Sequence, residues 1–474
     1  MDTILYDDKI TFKCLEKKIF SVGCFACREM TKKILEGYDR KLMIARDKKA
    51  YRHKGRRKTT IKTVYGEVEY SRNVYEVVRE NGDKEYVYLL DEQLMFDKIG
   101  VMSQNLVEQM VSCVTEMSYR ESAKKLSEIT GQSVSAMGIW NVIQELGENV
   151  CEDEKKHVEA YNNGTIKGDK KVPVVFEETD GVYVGLQGKD RADKEKGEIK
   201  VGIAYDGWKH EGKDRYSLDG KVVVAGFEKA KDFQEYREAA IGSTYDLAET
   251  ELRILNSDGA SWIKKIKDKA TVFQLDPFHR NKAIREKITD KQAAEEVFSY
   301  LTNRDVDGMF EFLAKYKDSI SDEAEAEKVE ELITYFGNNE DGLLPYQEQG
   351  FIIPEPPEGL EYRNMGTMEN HIWSIIARRM KHRHASWSIK GGNHLAKILA
   401  KKGSGKLSEV TRRFKAPVFE KEKLEEVFEE TGSAGRTPKK EGKGYQYPYE
   451  AHVKLLETAV GASRKGWMNM VSLI

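Results

Sequence analysis

Three strand-like runs (Val172 to Gln187, Glu198 to Trp208, Lys221 to Phe227) precede a helical stretch (Lys231 to Leu247), a strand (Glu251 to Leu255) and a short amphipathic helix (Ala260 to Lys269). A buried strand (Thr271 to Leu275) and a helix from Phe278 follow. This order predicts an α/β core of the ribonuclease-H-like class, a mixed sheet carrying helices on both faces. Two further patterns complete the fold class. From about Lys287 to Asn339, Phe298, Tyr300, Leu301, Phe310, Phe312, Leu313, Leu332 and Phe336 recur at helical spacing, which predicts an all-α insertion with those side chains as its core. Ahead of the core, residues 103–146 read as helical throughout, with a helix-turn-helix at their centre.

The elements follow in chain order. A helix over Thr31 to Arg46 leads into a dense basic run from Arg46 to Lys58 that contains Arg52, His53, Lys54, Arg56 and Arg57. Thr59 to Glu69 and Asn73 to Val78 are rich in Thr, Val, Ile and Tyr, so a small β-unit presents the basic run at its edge. That run is either a solvated loop or a set of phosphate contacts that neutralise a backbone without reading sequence. In Ser118 to Ser135, Ala123 and Leu126 are the small and large core positions of a first helix, and Gly131 fits the turn. Ser133 or Ser135 caps a second helix through Ile139, Trp140 and Val142, which would read a DNA groove. An ordinary αα-hairpin has the same signature. Residues Glu152 to Lys170 are polar and read as a linker. The expected divisions are a basic, β-rich DNA-binding region (1–100), a helix-turn-helix region (101–150), the core in two parts (170–285 and 356–415), the α-helical insertion (286–355) and a helical tail (416–474). Within the tail lie an acidic helix (Val418 to Thr431), a linker (Gly432 to Gly444) and a final helical piece ending at Ile474.

The chain has 474 residues with hydrophobic content of 39%, enough for ordinary buried cores. Its 78 Lys and Arg nearly balance its 80 Asp and Glu, so a polyanion must be held by a local basic patch. No apolar run reaches the roughly 18 residues that span a bilayer, and the first residues lack the blocks of a signal peptide, so a cytoplasmic, nucleoid-associated protein is expected. Five scattered cysteines do not make a disulfide framework. Cys24 and Cys27 have ligand-like spacing, but a structural zinc needs two more ligands, for which Cys14 and His53 are the nearest candidates; ordinary thiols are the simpler reading.

Three acids carry the chemical reading. Hydrolysing or exchanging a phosphodiester needs an activated oxygen nucleophile and neutralised charge on the leaving oxygen, and two Mg²⁺ ions held by converging carboxylates supply both. Asp180, Asp258 and Glu369 are placed to do this, although each has a plain alternative. Asp180-Gly181 is also a hairpin-turn dipeptide, Asn256-Ser257-Asp258-Gly259 a loop and cap, and Glu369 an acid favoured in a first helical turn. Asp276-Pro277 reads as a helix cap, which makes Asp276 and His279 structural. Glu369, Trp373, Ile376 and Met380 share one face at helical spacing, so the carboxylate should lie on the stripe that packs on the sheet, with Arg378, Arg379 and Lys381 free to hold a DNA backbone.

The runs Glu177 to Val184, Asn256 to Ala260, Gln274 to His279 and Met368-Glu369-Asn370, with Arg378 to Lys381 and Ser386-Trp387-Ser388, resemble the DDE transposases of ISLre-type insertion sequences. Val64 to Val68 with Arg72 and Tyr75 is similar to the same family. The resemblance implies a ribonuclease-H-like core interrupted by a helical insertion, as in the related Mutator-like group, with Asp180, Asp258 and Glu369 holding the metals; Glu177 and Glu178 compete with Asp180 for the first position. Asp276-x-x-His279 matches an acid-or-cysteine-x-x-His element of that wider group and is placed near the site. The expected activity is cleavage and strand transfer of double-stranded DNA at the element's terminal repeats, using Mg²⁺ (Mn²⁺ substituting) and at least a dimer on the paired ends. A DNA-binding regulator without catalysis and a structure-specific nuclease on the same core are the alternatives.

Overall fold

The computed structural model describes residues 11–79, 81–94, 102–264, 271–382, 385–411 and 421–433. The chain separates into Met1–Val418 and Phe419–Ile474; in the second unit helix α16 (Lys421–Ser433) is described, and the expected final helical piece and most of the expected linker lie outside the described residues.

Helix α1 spans Phe12–Ala45, capped by Thr11, and so starts well before the expected Thr31. It packs on a three-stranded antiparallel sheet of β1 (Arg52–Thr63), β2 (Gly66–Val78) and β3 (Lys84–Val87), where buried Asp39 accepts from the backbone and side-chain nitrogens of Asn73 at 2.8 and 2.7 Å. The basic run is therefore the edge strand of this sheet. Helices α2 (Leu89–Leu94), α3 (Gln104–Glu116), α4 (Tyr119–Thr130) and α5 (Ala136–Asn162) follow. A capping box between Ser118 and Glu121 starts α4, and Gly131, at φ 66°, ends it in the left-handed region that glycine adopts without penalty. Ser135 caps α5, and Ala123 and Leu126 are buried as expected. The expected linker is not one in its first half: α5 runs on to Asn162, because a polar stretch still buries Val158 and places Glu154 beside Lys397.

The central sheet comprises β4 (Val174–Leu186), β5 (Lys196–Tyr205), β8 (Val222–Gly226), β9 (Leu252–Ser257), β10 (Thr271–Leu275) and β12 (Ser386–Trp387). Its order is β10-β9-β4-β5-β8, and β5 alone runs against the rest; β12 pairs with the far end of β4, on the edge that β9 vacates after Ser257. Asp180-Gly181 lies inside continuous strand, which removes the hairpin-turn reading. Short helix α6 (Lys189–Asp193) joins β4 to β5, and α7 (Ala230–Gly242), α8 (Ser261–Lys264) and α9 (Pro277–Lys287) follow β8, β9 and β10. The Gly- and Lys-rich stretch after Trp208 forms a hairpin, β6 (Trp208–Gly212) and β7 (Arg215–Leu218), which β11 (Leu360–Glu361) extends to three strands.

Helices α10 (Lys291–Thr302), α11 (Val306–Ser319) and α12 (Glu323–Gly337) form the expected helical unit. Leu301, Leu313, Leu332 and Phe336 fill its core together with Phe273 and Leu275 of β10 and Ile284 of α9, so the unit shares its interior with the sheet's edge. The chain returns through α13 (Met368–Ile372), a π turn (Trp373–Ala377) and α14 (Arg378–Met380), then crosses β8 and α5 as α15 (Ile389–Gly403). Among the described residues no helix is long and apolar enough to cross a membrane.

Lys397 of α15 is fully buried between Glu154 of α5, at 2.7 Å, and Glu228 beyond β8, at 2.8 Å. Replacing it by methionine strands two carboxylates without their cation, and the unfolding free energy from urea titration should fall by about 3–5 kcal/mol. An unchanged midpoint would show that the three elements do not depend on this ion.

Candidate active site

Side chains of β4 alternate between the two faces of the sheet, and this divides its acids. Glu177 faces α7, where Arg237 and the Nε of Arg253 (2.6 Å) donate to it. Glu178, on the opposite face and fully buried, accepts at Oε2 from the backbone N–H groups of Gly366 (3.2 Å), Thr367 (3.0 Å) and Met368 (3.2 Å) and from Asn256 Nδ2 (3.1 Å). The hydroxyls of Tyr205 (2.8 Å) and Thr367 (2.5 Å) meet its Oε1. Burial pushes its carboxyl above the ordinary value, against the pull of these donors. Both residues are thus consumed structurally, which leaves Asp180 as the strand's acid with an open role.

The register of the sheet decides Asp180's neighbours. Thr179 pairs with Ser257 at the end of β9, so Asp180 stands one residue past the last pair, where Asp258 leaves the strand. Asp258 Oδ1 accepts from Ala260 N at 2.9 Å, which fixes the turn. At the end of neighbouring β10, Asp276 caps α9 by accepting from His279 N and also contacts His279 Nδ1 at 3.1 Å. With Nδ1 held there, His279 Nε2 lies 3.9 Å from Asp180 Oδ2. Asn256 ties the group to the core by donating to Asp276 (2.8 Å) as well as to Glu178. Burial, with Asp258 and Asp276 adding negative charge, pushes Asp180 up to about 6, against the opposing pull of His279 and the Gly181 N–H. The bond to Asp276, assisted by the charges of Asp180 and Asp258, holds His279 above its ordinary value in spite of burial. Burial drives Asp276 upward, yet its bonds from His279 and Asn256 outweigh that and keep it low.

Glu369 does not join this group. The expected face of Glu369, Trp373, Ile376 and Met380 is split: Ile376 and Met380 are buried, whereas Glu369 is exposed and Trp373 is half in solvent. The π turn is the physical reason. Met368, Ile372, Ile376 and Met380 recur every fourth residue on the buried side, widened by Ile375 and Ala377, and a regular helix at about 100° per residue would let that spacing drift around its axis. Widening one turn absorbs the surplus residue, keeps the apolar stripe seated and turns Glu369 outward. Among the described residues no three His, Cys, Asp or Glu side chains converge as a set able to hold a metal ion, so the expected three-carboxylate cradle for two ions is not assembled. Asp180 and Asp258 alone do suit Mg²⁺, which is commonly held by one or two carboxylates with water and substrate phosphate completing its shell.

The expected DNA contacts fare unevenly. Arg52, Lys54, Arg56, Arg57 and Lys58 are exposed on edge strand β1, but Lys54 pairs with Glu76 (2.9 Å), Lys58 with Glu69 (2.8 Å) and Arg56 with Glu36 (3.8 Å). Ser135 spends its hydroxyl capping α5, and Trp140 on the same helix is 40% exposed. Arg378 pairs with Glu116, and Arg379 donates to the Val114 carbonyl (2.6 Å) while lying over the rings of Tyr119 and Trp387. These two arginines therefore clamp α14 to α3 and α4 instead of standing free for a backbone; Lys381 remains exposed. Cys14, Cys24 and Cys27 share one helix, and His53 is engaged by Asn73 at 3.0 Å, so the described residues do not build a zinc site. Sequence reasoning missed the work of Glu178 and Asn256; the signal for Glu178 was the helix start at Thr367-Met368, whose free N–H groups require a buried acceptor.

These features define a mixed α/β protein with a carboxylate–imidazole cluster where β9 and β10 end beside β4 of the central sheet. The uncharacterised protein family UPF0236 matches residues 5–415, and the chain belongs to that family. It is 27% identical over 403 residues to a UPF0236 protein of Caldanaerobacter subterraneus subsp. tengcongensis, covering 81% of this chain and 76% of that one, whose name joins eleven loci. A second protein of that organism is 26% identical over 404 residues (81% and 77%). A UPF0236 protein in the vanSb 3′ region of Streptococcus gallolyticus is 22% identical over 351 residues, 72% of each chain.

Because Asp180 holds its proton more firmly folded than unfolded, its contribution to stability in metal-free buffer is full below about 4 and is lost as pH rises through about 6. Asp180→Asn cannot ionise, so between pH 4 and pH 7 it should gain roughly 2–3 kcal/mol on the wild type in urea unfolding with EDTA present. Parallel pH profiles for the two proteins would refute the crowding inferred at this carboxylate.

Proposed function

We propose that this chain is a DNA transposase of the DDE class, cutting the ends of its element and joining them to target DNA. The observation that carries the proposal is the register placing Asp180, inside β4, beside Asp258 just past the end of the adjacent parallel strand β9, with His279 next to Asp180. Support also comes from the sheet itself: the order β8-β5-β4-β9-β10 with only β5 reversed is the strand order of a ribonuclease-H-like core, here with α10 to α12 as its insertion. A relative whose name joins eleven loci in one organism fits a sequence that is copied within genomes.

On this reading Asp180 and Asp258 would hold Mg²⁺, with Mn²⁺ able to substitute; when bound, the ion neutralises the phosphate and provides an activated water. His279, its Nδ1 fixed by Asp276, presents Nε2 on the side of Asp180, where it can take or return a proton. The resemblance assigns a third acid to Glu369, which stands exposed and outside the Asp180–Asp258 group in this structure; Glu178 fixes the start of its helix against β4. The α4–turn–α5 unit, through Trp140, and the β1 edge, through Arg52 and Arg57, are the proposed contacts to double-stranded DNA, together with Lys381 at the end of α14. A reaction on paired ends calls for at least a dimer, working in the nucleoid.

The test is Asp258→Ala against DNA spanning the two flanks of the gene, where this reading expects inverted repeats. The variant should bind this DNA as the wild type does and lose Mg²⁺-dependent cleavage by at least 1,000-fold, on the order expected for a metal-dependent step. A wild type that binds without cutting is a regulator, and one that cuts without producing joined strands is a nuclease; either result overturns the proposal.

A further inference from the structure

We infer that the helical unit α10 to α12 is a positioning device for Asp258, acting through Tyr335 and Asn339. This rests on the reading of Asp180 and Asp258 as the divalent-metal site. The Tyr335 hydroxyl, on the last helix of the unit, donates to the backbone carbonyl of Asp258 at 2.8 Å, across 77 residues of sequence. One turn further on, Asn339 is 97% buried, donates its Nδ2 to the Tyr335 carbonyl at 2.7 Å and leaves its Oδ1 without a hydrogen-bond partner. That oxygen is aimed at Gly259: a methyl group placed there would lie 2.2 Å from it. Gly259 has φ +79°, a conformation that glycine alone adopts freely, so the backbone turns sharply after Asp258 and passes close under Asn339.

The Asp258 turn is thereby fixed from three directions. Asp276 N donates to the Ser257 carbonyl (2.8 Å), Ala260 N to the Asp258 carboxylate (2.9 Å), and the helical unit supplies the third hold through Tyr335. The first two come from the sheet and from the turn itself. The third alone comes from outside the strands, and because the core of the helical unit is continuous with Phe273 and Leu275, it is anchored on the neighbouring strand. A carboxylate at a strand end has no ladder beyond it to fix its direction, and the direction decides whether its oxygens converge with those of Asp180. Tyr335 is a positioning residue in this sense: its oxygen meets the main chain of Asp258, not the carboxylate.

The test uses the full chain, stripped with EDTA and titrated with Mn²⁺ by electron paramagnetic resonance and with Mg²⁺ by calorimetry, so that the readout does not depend on DNA cleavage. Tyr335→Phe keeps the ring and removes the one donor. It should weaken Mn²⁺ binding on the order of 10-fold, the scale on which supporting hydrogen bonds act in metal sites, with the urea midpoint essentially unmoved. Asn339→Ala, which releases the turn at Gly259, should weaken binding in the same direction and carries the test should the first variant not fold. A role limited to stability would lower the urea midpoint and leave the metal affinity unchanged; equal affinity in the wild type and a folded variant overturns the inference. A wild type that binds no Mn²⁺, indistinguishable from Asp258→Asn, overturns instead the metal reading beneath it.

Discussion

The buried carboxylate of Glu178 is the constraint on which the working end of this protein depends. Four N–H donors meet one of its oxygens, and three of them come from the backbone of Gly366, Thr367 and Met368, 188 or more residues away in sequence. The segment returning after the helical unit has only two-residue strands, β11 and β12, to seat it; between them the start of a helix is seated on a carboxylate held in the middle of the sheet. Tyr205 of β5 and Asn256 of β9 grip the same carboxylate from either side, so one side chain locks three strands and a helix into a single relationship. Losing it would leave both the helix start and the strand centre with unsatisfied polar groups in a dry interior, which is costly on each side.

Around this pin the acids of β4 are sorted by depth and face. Glu177 is neutralised by two arginines beneath the sheet, Glu178 is spent on backbone donors above it, and Asp180 emerges where the neighbouring strand has stopped. Identical chemistry at adjacent positions therefore yields three different states. The crowding of Asp180, Asp258 and Asp276 around a single imidazole leaves Asp180 in a buried, negatively charged setting, and such sites are where proteins keep their chemistry.

Much of the architecture was legible because periodicity reports burial. Five of the six strands of the central sheet, the helical unit and the cap at Ser135 follow from apolar spacing and turn chemistry, which are local properties. What escaped depended on partners distant in sequence. The second half of α5 reads as a linker because its charges look solvated, and the presence of Lys397 on α15 explains a half-buried Glu154. Arg378 and Arg379 read as a basic patch for the same reason; their acceptors, Glu116 and the Val114 carbonyl, sit on α3, more than 250 residues earlier. Asp180 could be separated from Glu177 and Glu178 only once the occupants of each face of the strand were known.

The π turn at Trp373–Ala377 makes chain length, as much as composition, a determinant of this site. Deleting one residue there would restore a regular coil, and the two ends of the apolar stripe would then compete for the same groove, with Glu369 swept around the axis by whichever end lost. Substitution at its exposed positions has no such effect. Over the thirteen residues from Met368 to Met380, evolution can therefore exchange letters more freely than it can change their number.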